Sequence, residues 1–389
     1  VTDTLITSPL GILAILAGVA SFFFFLEKKT AWKLFSFFPP LLFIYTLPLI
    51  FSNTGLIANE SPLYDWMGST ILPVFLIVML LDVDVSSAIR IMGKGIFVLL
   101  FGTAGVIIGA PIGYFVVKSG LGPEAWKGFG TLAGSWIGGT GNMAAVSEGL
   151  KTPATDFGLA VLGDNIVYIV WLPIMLGSKN FSRWFNRLTR VKKSRLEMLE
   201  RSAGEVSTDK GKLEMRHLLY LFFLGLFFAW LAGKIAIYLP QVPPILTQSS
   251  WKILLITTFG ILLSMTPAKR IPGSHQLAMA LVYLFVANMG ARANISGLAE
   301  QAPWFLIGAY IWIFIHGGFC IFGAWIFRVD VHSTAIASAA NIGGAASAPV
   351  VAAYHNEKLV PVSILMALIG YAIGNYGAFA AAWLCYLVS

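Results

Sequence analysis

The chain has 389 residues, 57% of them hydrophobic and only 11% charged, with a formal net charge of +8 and a mean hydropathy of +0.80. A soluble domain carries about 25% charged residues, so a water-facing surface is excluded. Runs of roughly 20 apolar residues recur along the chain, long enough to cross about 30 Å of hydrocarbon as helix, and barrel-type alternation is missing, so helices are the spanning element.

Twelve hydrophobic segments are predicted, at roughly 7–26, 32–51, 65–83, 95–118, 125–150, 154–177, 217–238, 250–266, 275–296, 303–327, 332–355 and 360–387, with boundaries good to several residues. The first lacks the basic flank and Ala-x-Ala site of a signal peptide and is read as a span. Cys320 and Cys385 fall inside hydrophobic segments and read as packing residues. Residues 178–216 break the pattern, with eleven Lys/Arg against five Asp/Glu. The positive-inside rule makes this stretch a cytoplasmic loop. It is too short for a nucleic-acid-binding module, so no nucleic-acid partner is expected.

The linker separates two halves, 1–177 and 217–389, with six segments each, and the halves look related. Asp82-Val83-Asp84-Val85-Ser86 ends the third segment as Arg292-Ala293-Asn294-Ile295-Ser296 ends the ninth. Gly138-Gly139 matches Gly343-Gly344, and Gly163-Asp164 matches Gly374-Asn375, in the same order. An internal structural repeat is the expectation. Twelve plain crossings strain it, because repeats six crossings apart would be parallel, whereas transporter repeats are usually inverted. Nor can twelve crossings put Lys28, Lys29 and Lys33, then Arg90 and Lys94, then the 178–216 loop all on one side. A re-entrant segment or an uncounted crossing in the first half or the linker would resolve both conflicts.

The fifth segment, Gly134-Ser135-Trp136-Ile137-Gly138-Gly139-Thr140-Gly141-Asn142-Met143, is a poor helix interior, since each Gly costs about 1 kcal/mol relative to Ala. The expectation is a discontinuous helix, unwound over Gly138–Asn142, whose second half starts with free N–H groups at mid-membrane. The eleventh segment repeats the theme, with Asn341, Gly343, Gly344 and Ser347 followed by Pro349. Candidate substrate-binding residues are therefore Gly138, Gly139, Thr140, Gly141, Asn142, Asn341, Gly343, Gly344 and Ser347. Asp164 is the only carboxylate near the centre of a strongly apolar span, and with Asn165 and Asn375 it is the candidate for ion or proton coupling. Asn288, His316 and Glu148 are secondary candidates. Asp82, Asp84 and Arg292 are candidates for the mouths of the pathway.

These residues carry a resemblance. Gly134 to Ala145, Gly163-Asp164-Asn165 and Ala340 to Pro349 resemble the membrane family catalogued as domain of unknown function 819, over nearly the whole chain. That family is grouped with the cation/proton antiporter and anion transporter superfamily. The resemblance implies two crossing broken helices in a core domain, a scaffold or dimerisation domain, a homodimer, elevator-type alternating access and a bacterial inner membrane. Gly-Gly-Thr-Gly is similar to the substrate motif of 2-hydroxycarboxylate carriers, with Asn142 where an acid is typical. Asp164-Asn165 looks like the antiporters' Asn-Asp or Asp-Asp pair, in reversed order.

The expected function is secondary active transport of a small anionic or zwitterionic solute, coupled to Na⁺ or H⁺, with no cofactor and no enzymatic activity. No G-x-x-x-x-G-K-[ST] loop offers ATP drive. The alternative is cation/proton exchange at Asp164. An intramembrane aspartyl protease would need two embedded aspartates, but Asp65 of Tyr64-Asp65 falls at a span edge and Val161 replaces the first Gly of the second motif.

Overall fold

The computed structural model describes residues 4–30, 32, 35, 40–83, 85–191 and 211–389. Lys33, Asp84 and the middle of the basic linker, 192–210, lie outside the described residues. The described chain is helical, with two isolated β-bridges, Ile6 to Ile57 and Val242 to Leu246. In the first half, α1 is Pro9–Thr30, α2 Pro40–Asn53, α3 Pro62–Leu80, α4 Val85–Met92, α5 Gly95–Val117, α6 Ala125–Leu150, α7 Ala154–Gly177 and α8 Ser182–Leu188. In the second half, α9 is Met215–Ala236, α10 Gln248–Ser264, α11 Ser274–Arg292, α12 Ile295–Phe327, α13 Val331–Ile342, α14 Gly344–Asn356 and α15 Val360–Leu387. By length and composition, seven helical stretches among the described residues are able to cross a membrane.

Local sequence sets the helix starts. Ser61 caps α3 ahead of Pro62, Thr247 accepts from the Ser250 N–H, and Asp330 accepts from the Ser333 N–H at 2.8 Å. A π-helical turn at Met67–Ile71 interrupts α3. On α9 only a stripe of mostly small residues is buried (Leu221, Gly225, Ala229, Ala232, Ala236), while Phe223, Leu226 and Trp230 are exposed. Such a helix packs through its small side and presents its large apolar side to lipid. The tightest seam runs between α5 and α12. There Gly105, Gly109 and Gly113 meet Phe319, Trp312 and Gly308, and the Trp312 indole donates to the Val106 carbonyl at 2.7 Å.

Contacts between helix ends fix which ends lie together. At one end, Ser274 Oγ donates to Asp82 at 2.5 Å, Phe97 stacks on Phe327, and Lys179 Nζ donates to the Tyr354 carbonyl at 2.7 Å. Val331 N–H, donating to Asn186 at 3.0 Å, belongs to the same end. At the other end, Asn53 donates to the Ala293 carbonyl at 2.8 Å, Gly122 N–H to Gln301 at 2.7 Å and Lys118 to the Val388 carbonyl at 2.7 Å. The first end carries Arg90, Lys94, Lys179 and both flanks of the basic linker. The N-terminal end of α1 is tied to the other end through Leu5 N–H and the Gly55 carbonyl, so its Lys28 and Lys29 also fall at the basic end.

The fifth and eleventh segments do not run straight through the bundle. Thr131 Oγ1 and Thr152 Oγ1 are 3.0 Å apart, whereas 21 residues of straight helix would separate them by about 31 Å. A methyl group added at Gly134 would meet the Asn142 carbonyl. The chain of α6 therefore doubles back, and the reversal sits at Gly139, whose φ of 72° and ψ of −177° are non-helical. Likewise His332 Nδ1 lies 2.9 Å from His355 Nδ1, so α13 and α14 are antiparallel arms joined at Gly343 and Gly344, the latter at φ 57°. The expected pair of crossing broken helices is corrected to a pair of helical hairpins. Gly supplies the positive φ at each reversal, and its ψ puts Gly139 in a region that is essentially glycine-only.

Replacing both Thr131 and Thr152 by Cys should give an intramolecular disulfide on mild oxidation, read as a mass loss of two hydrogens; a straight α6 leaves both thiols free. Gly139→Ala should lower stability by about 1–3 kcal/mol, seen as a reduced melting temperature of the purified protein.

Candidate functional site

The two hairpins enter the bundle from opposite ends. The α6 base, at residues 125 and 150–152, lies at the end shared with Gly122, Gln301 and Ser250; Ser250 Oγ donates to the Gly149 carbonyl at 3.0 Å. The α13–α14 base lies at the basic end, beside Asn186 and Lys179. Their tips meet in the interior, where a methyl group added at Gly344 would lie 3.6 Å from Gly139 Cα. Around this contact Gly139 and Gly344 are buried, while Thr140, Gly343, Ala345 and Ser347 stay partly accessible.

Helix α7 brings two polar side chains to the tips, one turn apart on a single face. Asp164 accepts from Ser135 Oγ at 2.9 Å and from the Trp136 indole at 3.0 Å, both on the inbound arm of α6. Among the described residues, both of these hydrogen-bond donors to Asp164 are neutral. The Tyr168 ring packs beside Gly343, within 3.2 Å of a methyl group added there, next to the Ser347 hydroxyl of the outbound arm α14. One helix thus holds a carboxylate against the first hairpin and a phenol against the second. The outbound arm α14 starts at Gly344 without a side-chain cap, and its first N–H groups have no partner within their own helix. The ensemble offers hydroxyls, a carboxylate and backbone donors to a small polar molecule.

Several sequence candidates face elsewhere. Asn142 is fully buried and donates to the Tyr371 carbonyl at 2.9 Å, so it ties α6 to α15 behind the tip. Gly138 packs on Asn142 and the Gly370 carbonyl, and Gly141 packs on Met79. Asn341 turns into α5, donating to the Leu99 carbonyl at 3.2 Å and Thr103 at 3.4 Å. Asn165 bonds its own helix, to the Val161 carbonyl at 2.7 Å, and Asn375 reaches across to Thr257 on α10 at 2.7 Å. Asn288 is fully buried on α11, and neither its amide nitrogen nor its oxygen has a hydrogen-bond partner among the described residues. Glu148 is ion-paired with Lys151 at the base of the α6 hairpin.

His316 belongs to a separate buried chain. Its Nδ1 lies 2.9 Å from the Gly102 carbonyl and must donate there, so Nε2 accepts from Ser338 at 2.9 Å. Ser338 in turn accepts from the Trp171 indole at 3.0 Å. Asp65 sits 3.6 Å from Arg292 at the end opposite the basic one, and its side chain is 83% exposed. The structure does not bring it to Asp164.

The residue that sequence reasoning missed is Tyr371. Its ring lies against both reversals, within 3.2 Å of a methyl group added at Gly139 and 3.6 Å of one added at Gly344. Its hydroxyl lies 3.9 Å from a methyl group added at Gly344, and its carbonyl receives Asn142. Gly370 and Gly374, which flank it and pack on Ile137 and Asn142, are the sequence signal of that close approach.

Residues 14–387 match the model of the family described as a protein of unknown function, DUF819. A relative, "Uncharacterized membrane protein YjcL" of Bacillus subtilis (strain 168), is 26% identical over 347 residues, spanning 86% of this chain and 87% of the relative. With seven stretches of membrane-spanning length and composition, this is a helical integral membrane protein, and it belongs to the DUF819 family.

Proposed function

We propose that the protein is a secondary active transporter whose solute binds where the two hairpin tips meet. The observation that carries this reading is the meeting of Gly139 and Gly344, from hairpins of opposite entry, beside Tyr371 of α15 and Asp164 and Tyr168 of α7. Irregular backbone at membrane depth is tolerated where it is buried in protein or lines a cavity, and a site between two such elements is the hallmark of alternating access.

Topology supports the reading. With both hairpins re-entrant, α1, α2, α3, α5 and α7 cross in the first half, and α9, α10, α11, α12 and α15 in the second. Five crossings per half is odd, so the halves become inverted repeats. Lys28, Lys29, Arg90, Lys94 and the linker flanks then share one face, which the positive-inside rule makes cytoplasmic. The parity conflict in the sequence disappears. Helices α5, α6, α7, α12, α13, α14 and α15 pack mainly on one another and form the moving core; α1, α2, α3, α9, α10 and α11 form the scaffold. Placement among the cation/proton antiporter and anion transporter superfamily, a bacterial inner membrane and a homodimer belong to the same proposal.

The solute is small and, on this reading, zwitterionic. The tip backbone N–H groups suit a carboxylate, and Asp164 suits a cationic group or the coupling Na⁺ or H⁺. Pure cation/proton exchange at Asp164 is favoured by its hydrogen bonds, which among the described residues come from the neutral donors Ser135 and Trp136.

Purified protein screened against carboxylates, amino acids and short peptides, with and without Na⁺, should be stabilised by at least one solute. Asp164→Asn should remove that stabilisation or its ion dependence. Stabilisation by Na⁺ or pH alone, with no solute effective, supports exchange instead. Tyr371→Phe, which removes the hydroxyl beside the Gly344 reversal, should weaken solute binding by about 1 kcal/mol, roughly fivefold in affinity; unchanged affinity would remove the tips from the site.

A further inference from the structure

The two hairpins are closed at their bases by different chemistry. The α6 hairpin is joined by the hydroxyls of Thr131 and Thr152, 3.0 Å apart. Neither group titrates in the physiological range. The hairpin of α13 and α14 is joined by two imidazoles, His332 Nδ1 to His355 Nδ1 at 2.9 Å. Imidazole is the side chain whose charge changes between about pH 5 and 8.

The hydrogen positions follow from the partners. His355 Nε2 lies 2.9 Å from the Met175 carbonyl at the end of α7, and a carbonyl only accepts, so Nε2 carries a proton. In the neutral ring Nδ1 is then a bare acceptor. His332 must therefore donate from Nδ1, which leaves its Nε2 bare. A first proton enters at His332 Nε2 and leaves the N–H to N bond intact. A second has only His355 Nδ1 to occupy. That converts the bond into two N–H groups pointing at each other between two cations.

We propose that His332 and His355 form a proton-operated clamp, shut while the pair carries no more than one added proton and sprung by the second. Among the described residues, the charged groups acting on the pair are Asp330, ahead of α13, and Lys179, in the turn after α7. Asp330 is held by Ser333 through N–H and hydroxyl, both at 2.8 Å. Lys179 donates to the Tyr354 carbonyl and stands 5.2 Å above its ring, and that ring lies 6.1 Å from His355. Springing the clamp frees the arms of the hairpin that enters from the basic end. That this regulates solute access from that side rests on the transport reading; the clamp itself does not.

Hydrogen–deuterium exchange of the full-length purified protein in lipid nanodiscs tests it without any solute. Burial lowers both imidazoles from their usual range, so rates of peptides covering 331–356 and 125–152 are compared between about pH 7.5 and about pH 4 after correction for intrinsic exchange. Protection at the base of the α13–α14 hairpin should fall at least ~10-fold on acidification, the scale of one lost buried hydrogen bond, while the α6 hairpin is unchanged. Replacing both residues, His332→Asn with His355→Asn, should abolish the acid step. Three outcomes would overturn the clamp: no acid loss in the wild-type protein, equal loss in both hairpins, or an acid loss that survives the double substitution. The wild-type comparison stands even if the double variant does not fold.

Discussion

The bundle is organised around the close approach of Gly139 and Gly344. Two chain reversals meet inside a bundle surrounded by lipid, so their backbone polar groups must find partners within the protein. Tyr371 of α15 covers both reversals with its ring and receives Asn142 at its carbonyl. Asp164 and Tyr168 on α7 flank the two hairpins from one side, Asp164 bonded to the Ser135 and Trp136 side chains and Tyr168 packed beside Gly343. The helices that carry these groups, α7 and α15, are the ones that follow the two hairpins in the chain.

The same contact explains the glycine usage. At Gly139 and Gly344 the positive φ leaves little choice of residue. Gly138, Gly370 and Gly374 serve a different purpose, allowing the backbones of α6 and α15 to approach until Asn142 fits between them. The Gly105, Gly109 and Gly113 seam of α5 against α12 is plain close packing. One residue type thus performs three separate jobs within the bundle.

Much of this was legible in the sequence, and the limits have physical reasons. Hydrophobic length identified the membrane class, and charge placement exposed the parity conflict of twelve straight crossings. The paired glycines marked both reversals, but a kink and a full reversal use the same residues. Only the long-range contacts Thr131 to Thr152 and His332 to His355 separate them. Asp164 was visible because a lone carboxylate in an apolar span is costly. The asparagines were equally visible, yet Asn142, Asn341, Asn165 and Asn375 face neighbouring helices or their own backbone, and a side chain's direction depends on which helices pack beside it. Tyr371 was hidden because one tyrosine in an apolar helix carries no spacing signal of its own.

Under the proposed transport cycle the hairpin tips face each side of the membrane in turn. The most direct measurement is labelling of a Thr140→Cys variant in proteoliposomes by a membrane-impermeant thiol reagent, applied from either side; the native Cys320 and Cys385 are buried. The account predicts labelling from both sides, with the balance shifted by a bound solute or an ion gradient. Labelling from one side only, whatever the solute or gradient, would contradict it.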